Sequence, residues 1–155
     1  MSFKIREAES ADMKSVLKLI NELAVFEKEP NAVKITVDDL VKNGFKEHPA
    51  FYIYLAELDN AIVGMALFYH RFSTWEGASL HLEDLIVTQR HRGKGIGKGL
   101  LDGIIAKAKS EKLRRVEWNV LDWNTPAIEF YKKVGANVLE DWLVVQLDEN
   151  GIENY

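Results

Sequence analysis

The sequence predicts an α+β domain on one central, mostly antiparallel sheet, in the order β-α-α-β-β-β-α-β-α-β. Three observations carry this. Aromatic and aliphatic runs with strand character crowd the middle of the chain, from Phe51 to Val87. Apolar residues recur every three or four positions in two other stretches, Met13 to Ala24 and Ile96 to Ala108, as on a helix face. Between strand and helix patterns lies Gln89–Leu100, where four glycines alternate with other residues.

The elements follow in order. Phe3-Lys4-Ile5-Arg6 alternates as a first strand, and Ser10 is placed to cap a helix running to about Phe26. Glu27 to Asn31 breaks that helix. Thr36-Val37-Asp38-Asp39 has the form of a capping box, and a short helix with Leu40 and Val41 inside ends at Gly44. Strands over Phe51–Glu57, Ala61–Phe72 and Ser79–Val87 form a meander, turned at Asp59-Asn60 and at Trp75-Glu76-Gly77. A helix from about Gly95 to Lys109 leads to a strand at Arg115–Val120, expected parallel to its predecessor. Asn124 or Thr125 caps the next helix, with Pro126 in its first turn and Gly135 as its stop. Trp142–Leu147 reads as a last strand.

The 155 residues are expected to form a single domain, 1–155, with a real core. The longest apolar run, Ala61 to Tyr69, falls far short of a membrane span, and no signal segment is recognised. A cytoplasmic protein is the expectation. There is no cysteine, hence no thiol nucleophile and no Cys metal site. The four histidines, at 48, 70, 81 and 91, stand in separate elements, and no metal site is expected. A net charge of −4 argues against nucleic-acid binding and sets off the local cluster Arg90, Arg92, Lys94 and Lys98.

A strand feeding a glycine-rich cationic turn and then a helix start outlines an anion site. Three residues separate Gly93 from Gly97, where a P-loop needs four, and Lys98 is followed by Gly99 instead of a hydroxyl residue. A dinucleotide fingerprint needs glycine at 98, 100 or 102, where Lys98, Leu100 and Asp102 stand.

What fits is Arg92-x-x-Gly95-x-Gly97, which resembles the R/Q-x-x-G-x-G/A signature of the GNAT N-acetyltransferases. Ser73-Thr74-Trp75-Glu76-Gly77, Leu82-Glu83-Asp84 and Asp122 through Ala136 together look like the diamine (spermidine/spermine) acetyltransferase subfamily. Ile5 to Ala8, Glu22 to Lys28, Gly44-Phe45 and His48-Pro49 also resemble that group. Ser73-Thr74-Trp75 and Val120-Leu121-Asp122-Trp123-Asn124 are similar to its thialysine-acetylating type, whereas the polyamine-acetylating type carries an acidic residue in place of Ser73.

The resemblance implies a GNAT fold, a twisted sheet of six to seven strands flanked by four helices. It implies acetyl-CoA as donor, a small cationic primary amine as acceptor, no metal and a homodimer. Arg92, Gly93, Lys94, Gly95, Ile96, Gly97 and Lys98 would cradle the donor's pyrophosphate. The backbone of Leu85, Ile86 and Val87 would pair with its pantetheine arm, helped by Asn124, Thr125, Pro126, Ala127 and Tyr131. Tyr131 is the candidate acid for the leaving thiolate and Glu83 the candidate base. Phe26, Glu27, Trp75, Glu83, Asp84, Glu117, Trp118 and Asn119 would receive the amine.

The residues themselves suit that chemistry. An amine must lose a proton before it attacks a thioester, and a departing thiolate gains from a proton donor. Adjacent strand residues point to opposite faces, so Glu83 and Asp84 share a face only if a bulge intervenes. Two other readings stay open: acetylation of a protein N-terminus or lysine, and a catalytically silent CoA-binding module.

Overall fold

A computed structural model describes residues 2–155. The chain forms two compact units, Met1–Asn119 and Val120–Tyr155. The first contains β1 (Lys4–Glu7), α1 (Met13–Phe26), α2 (Val37–Gly44), β2 (Tyr52–Leu58), β3 (Ala61–Ser73), β4 (Gly77–Val87), α3 (Ile96–Ser110) and β5 (Val116–Glu117). Single 3₁₀ turns at Ser10–Asp12 and Gln89–His91 precede α1 and α3. The second unit contains α4 (Thr125–Lys133) and α5 (Glu149–Glu153).

The sheet runs β1-β2-β3-β4-β5, antiparallel throughout except for the parallel β4–β5 pair. That pair is where a helix crosses over, as expected. Register assigns each side chain to a layer. Ile53, Leu55, Met65, Leu67 and Ile86 meet Met13, Val16 and Leu19 of α1 and Leu40 of α2. On the other face lies α3, burying Ile96, Leu100, Leu101, Ile104 and Ala108. Gly64 admits it: a Cβ there would come within 3.4 Å of Leu100 Cδ1 and 2.8 Å of the Ile86 carbonyl oxygen.

Local signals explain the helix starts. Thr36 Oγ1 accepts from the Asp39 N–H at 3.2 Å, and Asp39 accepts from the Thr36 N–H at 2.8 Å. Ser10 is not the cap of α1: it opens the 3₁₀ turn, and Asp12 reaches back to the Glu9 N–H at 2.8 Å.

Two strand expectations are corrected. The Arg115–Val120 strand shrinks to Val116–Glu117, and Trp142–Leu147 is not a strand, so the sheet has five strands instead of six or seven. A strand exists by pairing, and apolar β-formers without a ladder partner stay irregular. A fifth helix, α5, follows instead. Among the described residues no helix is long and apolar enough to cross a membrane.

Candidate active site

The site begins with an irregularity in β4. Leu67 of β3 pairs with Asp84 and its neighbour Phe68 pairs with Leu82, so Glu83 has no cross-strand partner. This is a β-bulge, and it turns two consecutive carboxylates to one side. Asp84 stands opposite Leu67, whose side chain belongs to the α1 layer. Glu83 Oε2 accepts from the Tyr69 hydroxyl at 2.9 Å, on that same face. Burial, then the charges of Glu83 and Glu27, raise Asp84 to about 6. Burial also raises Glu27, just beyond the end of α1. The charges of Glu83 and Glu27 thus disfavour ionisation of Asp84, and the carboxylates together attract a cation.

Beyond the bulge, Leu85, Ile86 and Val87 pair with Ala66, Met65 and Gly64. On its other edge β4 meets β5 only at Leu80 and His81. Among the described residues, no strand covers that edge from Leu82 to Val87. An uncovered edge leaves peptide groups for an extended ligand with amides of its own.

The glycine loop follows directly. Gly93 and Gly95 adopt φ of 73° and 79°, which favours glycine. Helix α3 has no side-chain cap, and the Gly99 N–H bonds the Gly95 carbonyl at 2.9 Å. The amides of Ile96, Gly97 and Lys98 therefore precede the first helical bond and point out of the helix end. A Cβ on Gly97 would meet no protein atom nearer than Val87 Cγ2 at 3.7 Å. Packing does not demand this glycine, so the space above it is free for a ligand. Helix amides, a favourable dipole and left-handed glycines together fit a diphosphate.

Not every cation here serves the loop. Lys98 Nζ bonds Asp102 at 2.6 Å, so what Lys98 presents at the helix start is its backbone N–H. Arg92 Nε donates to the Val87 carbonyl at 3.0 Å, and its guanidinium lies 4.7 Å from the Phe26 ring centroid. Gln89 N–H donates to Glu22 at 3.1 Å. The glycine loop is thereby tied to the last turns of α1, next to Glu27.

The remaining expected residues are placed as follows. Glu117 lies opposite His81 and takes Arg71 at 2.7 Å, while Trp118 and Asn119 continue past β5 outside any strand. Trp75, 78% exposed, sits in the β3–β4 turn. Six residues of β4, ~20 Å at strand rise, separate that turn from Glu83, so Trp75 does not join the carboxylates. In the second unit, Asn124 occupies the N-cap position of α4 but makes no side-chain cap bond. Thr125, Pro126 and Ala127 form the first turn, and Tyr131 is buried, its hydroxyl pushed up by that burial. Among the described residues, no group of three His, Asp or Glu is placed to hold a metal.

Sequence reading passed over Tyr69 and Arg71 and read His81 as structural or solvated. A signal existed. The turn pairs Ser73 with Gly77, which sets Arg71 opposite Ser79 and Tyr69 opposite His81, two residues before Glu83 on the same side.

The sequence profile of the Acetyltransferase (GNAT) family matches residues 14–136. The thialysine N-epsilon-acetyltransferase of Mus musculus is 37% identical over 92% of this chain and 90% of its own length. That of Caenorhabditis elegans is 32% identical over 99% and 97%. Among solved structures, an integron cassette protein of V. cholerae superposes with a TM-score of 0.80 at 23% identity, covering 99% of this chain and 97% of that one. That likeness shows the fold; the profile and the relatives show more, and the chain belongs to the GNAT family of acetyltransferases.

Proposed function

We propose that this acetyltransferase moves an acetyl group from acetyl-CoA directly to the primary amine of a small cationic acceptor, of the thialysine or short diamine class. The observation that carries this is the β4 bulge. It sets Glu83 and Asp84 side by side on one face, next to an uncovered strand edge and an uncapped glycine-rich helix start. Residues Arg92 to Lys98 would hold the diphosphate, and the edge of Leu85–Val87 would hold the pantetheine amides. Asn124 to Ala127 are assigned to the donor on the family resemblance. The thioester supplies the activated acyl group; the chain supplies charge and proton control. Glu27 and Asp84 draw in the ammonium, and Glu83 accepts its proton, directly or through water. Tyr131, kept protonated by burial, donates to the leaving sulfur.

A short acceptor is favoured over a long polycation. Ser73, where polyamine-acetylating relatives carry an acid, has its hydroxyl tied into the hairpin turn: Oγ accepts from Arg115 at 3.2 Å and from the Glu76 N–H at 3.1 Å. Its place offers no charge to a distant ammonium. We read both units as one acetyltransferase domain, because the family match crosses their boundary. We also read the protein as a homodimer, supported by the exposed apolar run Leu143-Val144-Val145.

The test is release of CoA thiol from acetyl-CoA with thialysine, lysine, putrescine, spermidine and a lysine-containing peptide. Turnover with the small amines above the peptide supports the proposal. Turnover with the peptide alone would move the acceptor to proteins. Thermal stabilisation by CoA with no turnover for any amine would leave a silent binding module.

A further inference from the structure

The α1 face of the sheet carries one side chain that acetyl transfer, as read above, does not employ. His81 is 7% exposed, and with Ser79 it makes up the buried polar residues among those described. Every element around it presents a charged or titratable group. From β3 come Tyr69, whose ring lies 5.2 Å from the imidazole centroid, and Arg71. Glu83 and Asp84 come from β4 and Glu117 from β5, with Glu27 beyond the end of α1.

The contacts form an ordered chain. Arg71 Nη1 lies 3.3 Å from His81 Nδ1. A guanidinium only donates, so this bond needs the Nδ1 lone pair and puts the imidazole proton on Nε2. Nε2 lies 3.5 Å from Glu83 Oε2, the oxygen that also accepts from Tyr69 at 2.9 Å. Protonating His81 would remove the acceptor that Arg71 uses and turn Nδ1–H toward Glu117, 3.9 Å away. The Arg71 link therefore requires the neutral ring.

This matters because Glu83 is the bulge residue. It lacks a cross-strand neighbour, and its side chain is 52% exposed. Without partners it would sample several rotamers. We propose that His81, its tautomer set by Arg71, is a positioning residue for Glu83: with Tyr69 it holds Oε2 and leaves Oε1 for the acceptor. This rests on the reading of Glu83 as the base.

The experiment compares His81→Leu, His81→Gln, Tyr69→Phe and Glu83→Gln in the full chain, with acetyl-CoA and the best amine of the panel. Gln places an amide N–H where His81 Nε2 stands; Leu does not. Glu83→Gln should cost ~10²–10⁴-fold in kcat, the range of a lost base. His81→Leu should lower kcat about 10-fold, short of that range, with an unchanged KM for acetyl-CoA. Tyr69→Phe, which removes the other contact to Oε2, should lower kcat by a similar factor, about 10-fold. His81→Gln should restore kcat to within about 3-fold of wild type. If His81→Leu keeps wild-type kcat while Glu83→Gln is inactive, the positioning role is overturned and the base survives. Equal losses in His81→Gln and His81→Leu would overturn it in favour of packing. An active Glu83→Gln would overturn the base itself, and the positioning role with it.

Discussion

Asp84 is a carboxylate held where ionisation is costly. Burial dominates, and the charges of Glu83 and Glu27 add to it, raising Asp84 to about 6 from an ordinary 3.8. The sign follows from linkage. Between those values the folded chain binds more protons than the unfolded one, so this group's contribution to stability falls as pH rises through about 6. Asp84→Asn should therefore stabilise the protein by about 1–3 kcal/mol at pH 8. The gain should vanish near pH 4, and kcat/KM for the amine should fall. Denaturant midpoints at the two pH values check the stability; a gain that does not depend on pH would contradict the burial argument. Tyr131 is the second residue-scale case. Burial pushes its hydroxyl up, so it stays a donor at working pH. Tyr131→Phe should lower kcat by ~10²-fold or more with little change in acetyl-CoA affinity. An unchanged kcat in single-turnover assays would remove Tyr131 as the acid. As candidates, Glu83, Asp84 and Tyr131 are legible in the sequence because motif and residue type mark them. The shared face of Glu83 and Asp84 is not, because a bulge depends on how two strands register over the core.

At the scale of the element, the loop and α3 were the clearest part of the sequence. The start of α3 at Ile96 follows from glycines that allow a left-handed turn and from Ile96, Leu100 and Ile104 on one buried stripe. What remained illegible was why each glycine is there. Gly99 is a packing glycine, since a Cβ would come within 2.8 Å of the Phe3 ring. Gly97 has room, with Val87 Cγ2 at 3.7 Å as the nearest atom. This separates two effects that usually travel together. In the first turn of a helix, alanine exceeds glycine in propensity by up to about 1 kcal/mol. Gly97→Ala should leave the melting temperature of the free protein equal or higher while it weakens acetyl-CoA at least about 10-fold, roughly the loss of one charge-assisted hydrogen bond. Calorimetric titration and thermal unfolding of the free variant decide it. Destabilisation would assign Gly97 to packing, and unchanged affinity would move the diphosphate away from the helix start. The strand at Trp142–Leu147 failed for the converse reason. Its residues have the right propensity, but only a ladder partner makes a strand, and composition cannot name the partner.

At the scale of the whole molecule, the sequence foresaw an α+β protein on an antiparallel meander, because the hairpins of β2, β3 and β4 are local in the chain. Association is not local and leaves no periodic trace. The place to look for it is exposure: Leu143, Val144 and Val145 are 86%, 68% and 91% exposed, with Leu139 and Leu147 also open. Consecutive large aliphatic side chains facing water are a candidate surface for another chain. A second copy of this protein is the occupant we favour, in line with the homodimer that the family resemblance implies. Sedimentation at micromolar concentration should then give about twice 17.7 kDa. Val145→Lys should shift the protein toward the monomer, since a stable interface of ~1,200 Å² or more tolerates no unpaired charge at its centre. Lysine on an already exposed position should not unfold the monomer, so its melting transition should stay cooperative. A wild-type protein that sediments as a single 17.7 kDa species at all concentrations would end the dimer proposal. If Val145→Lys leaves a dimer intact, the pairing surface lies elsewhere on the chain.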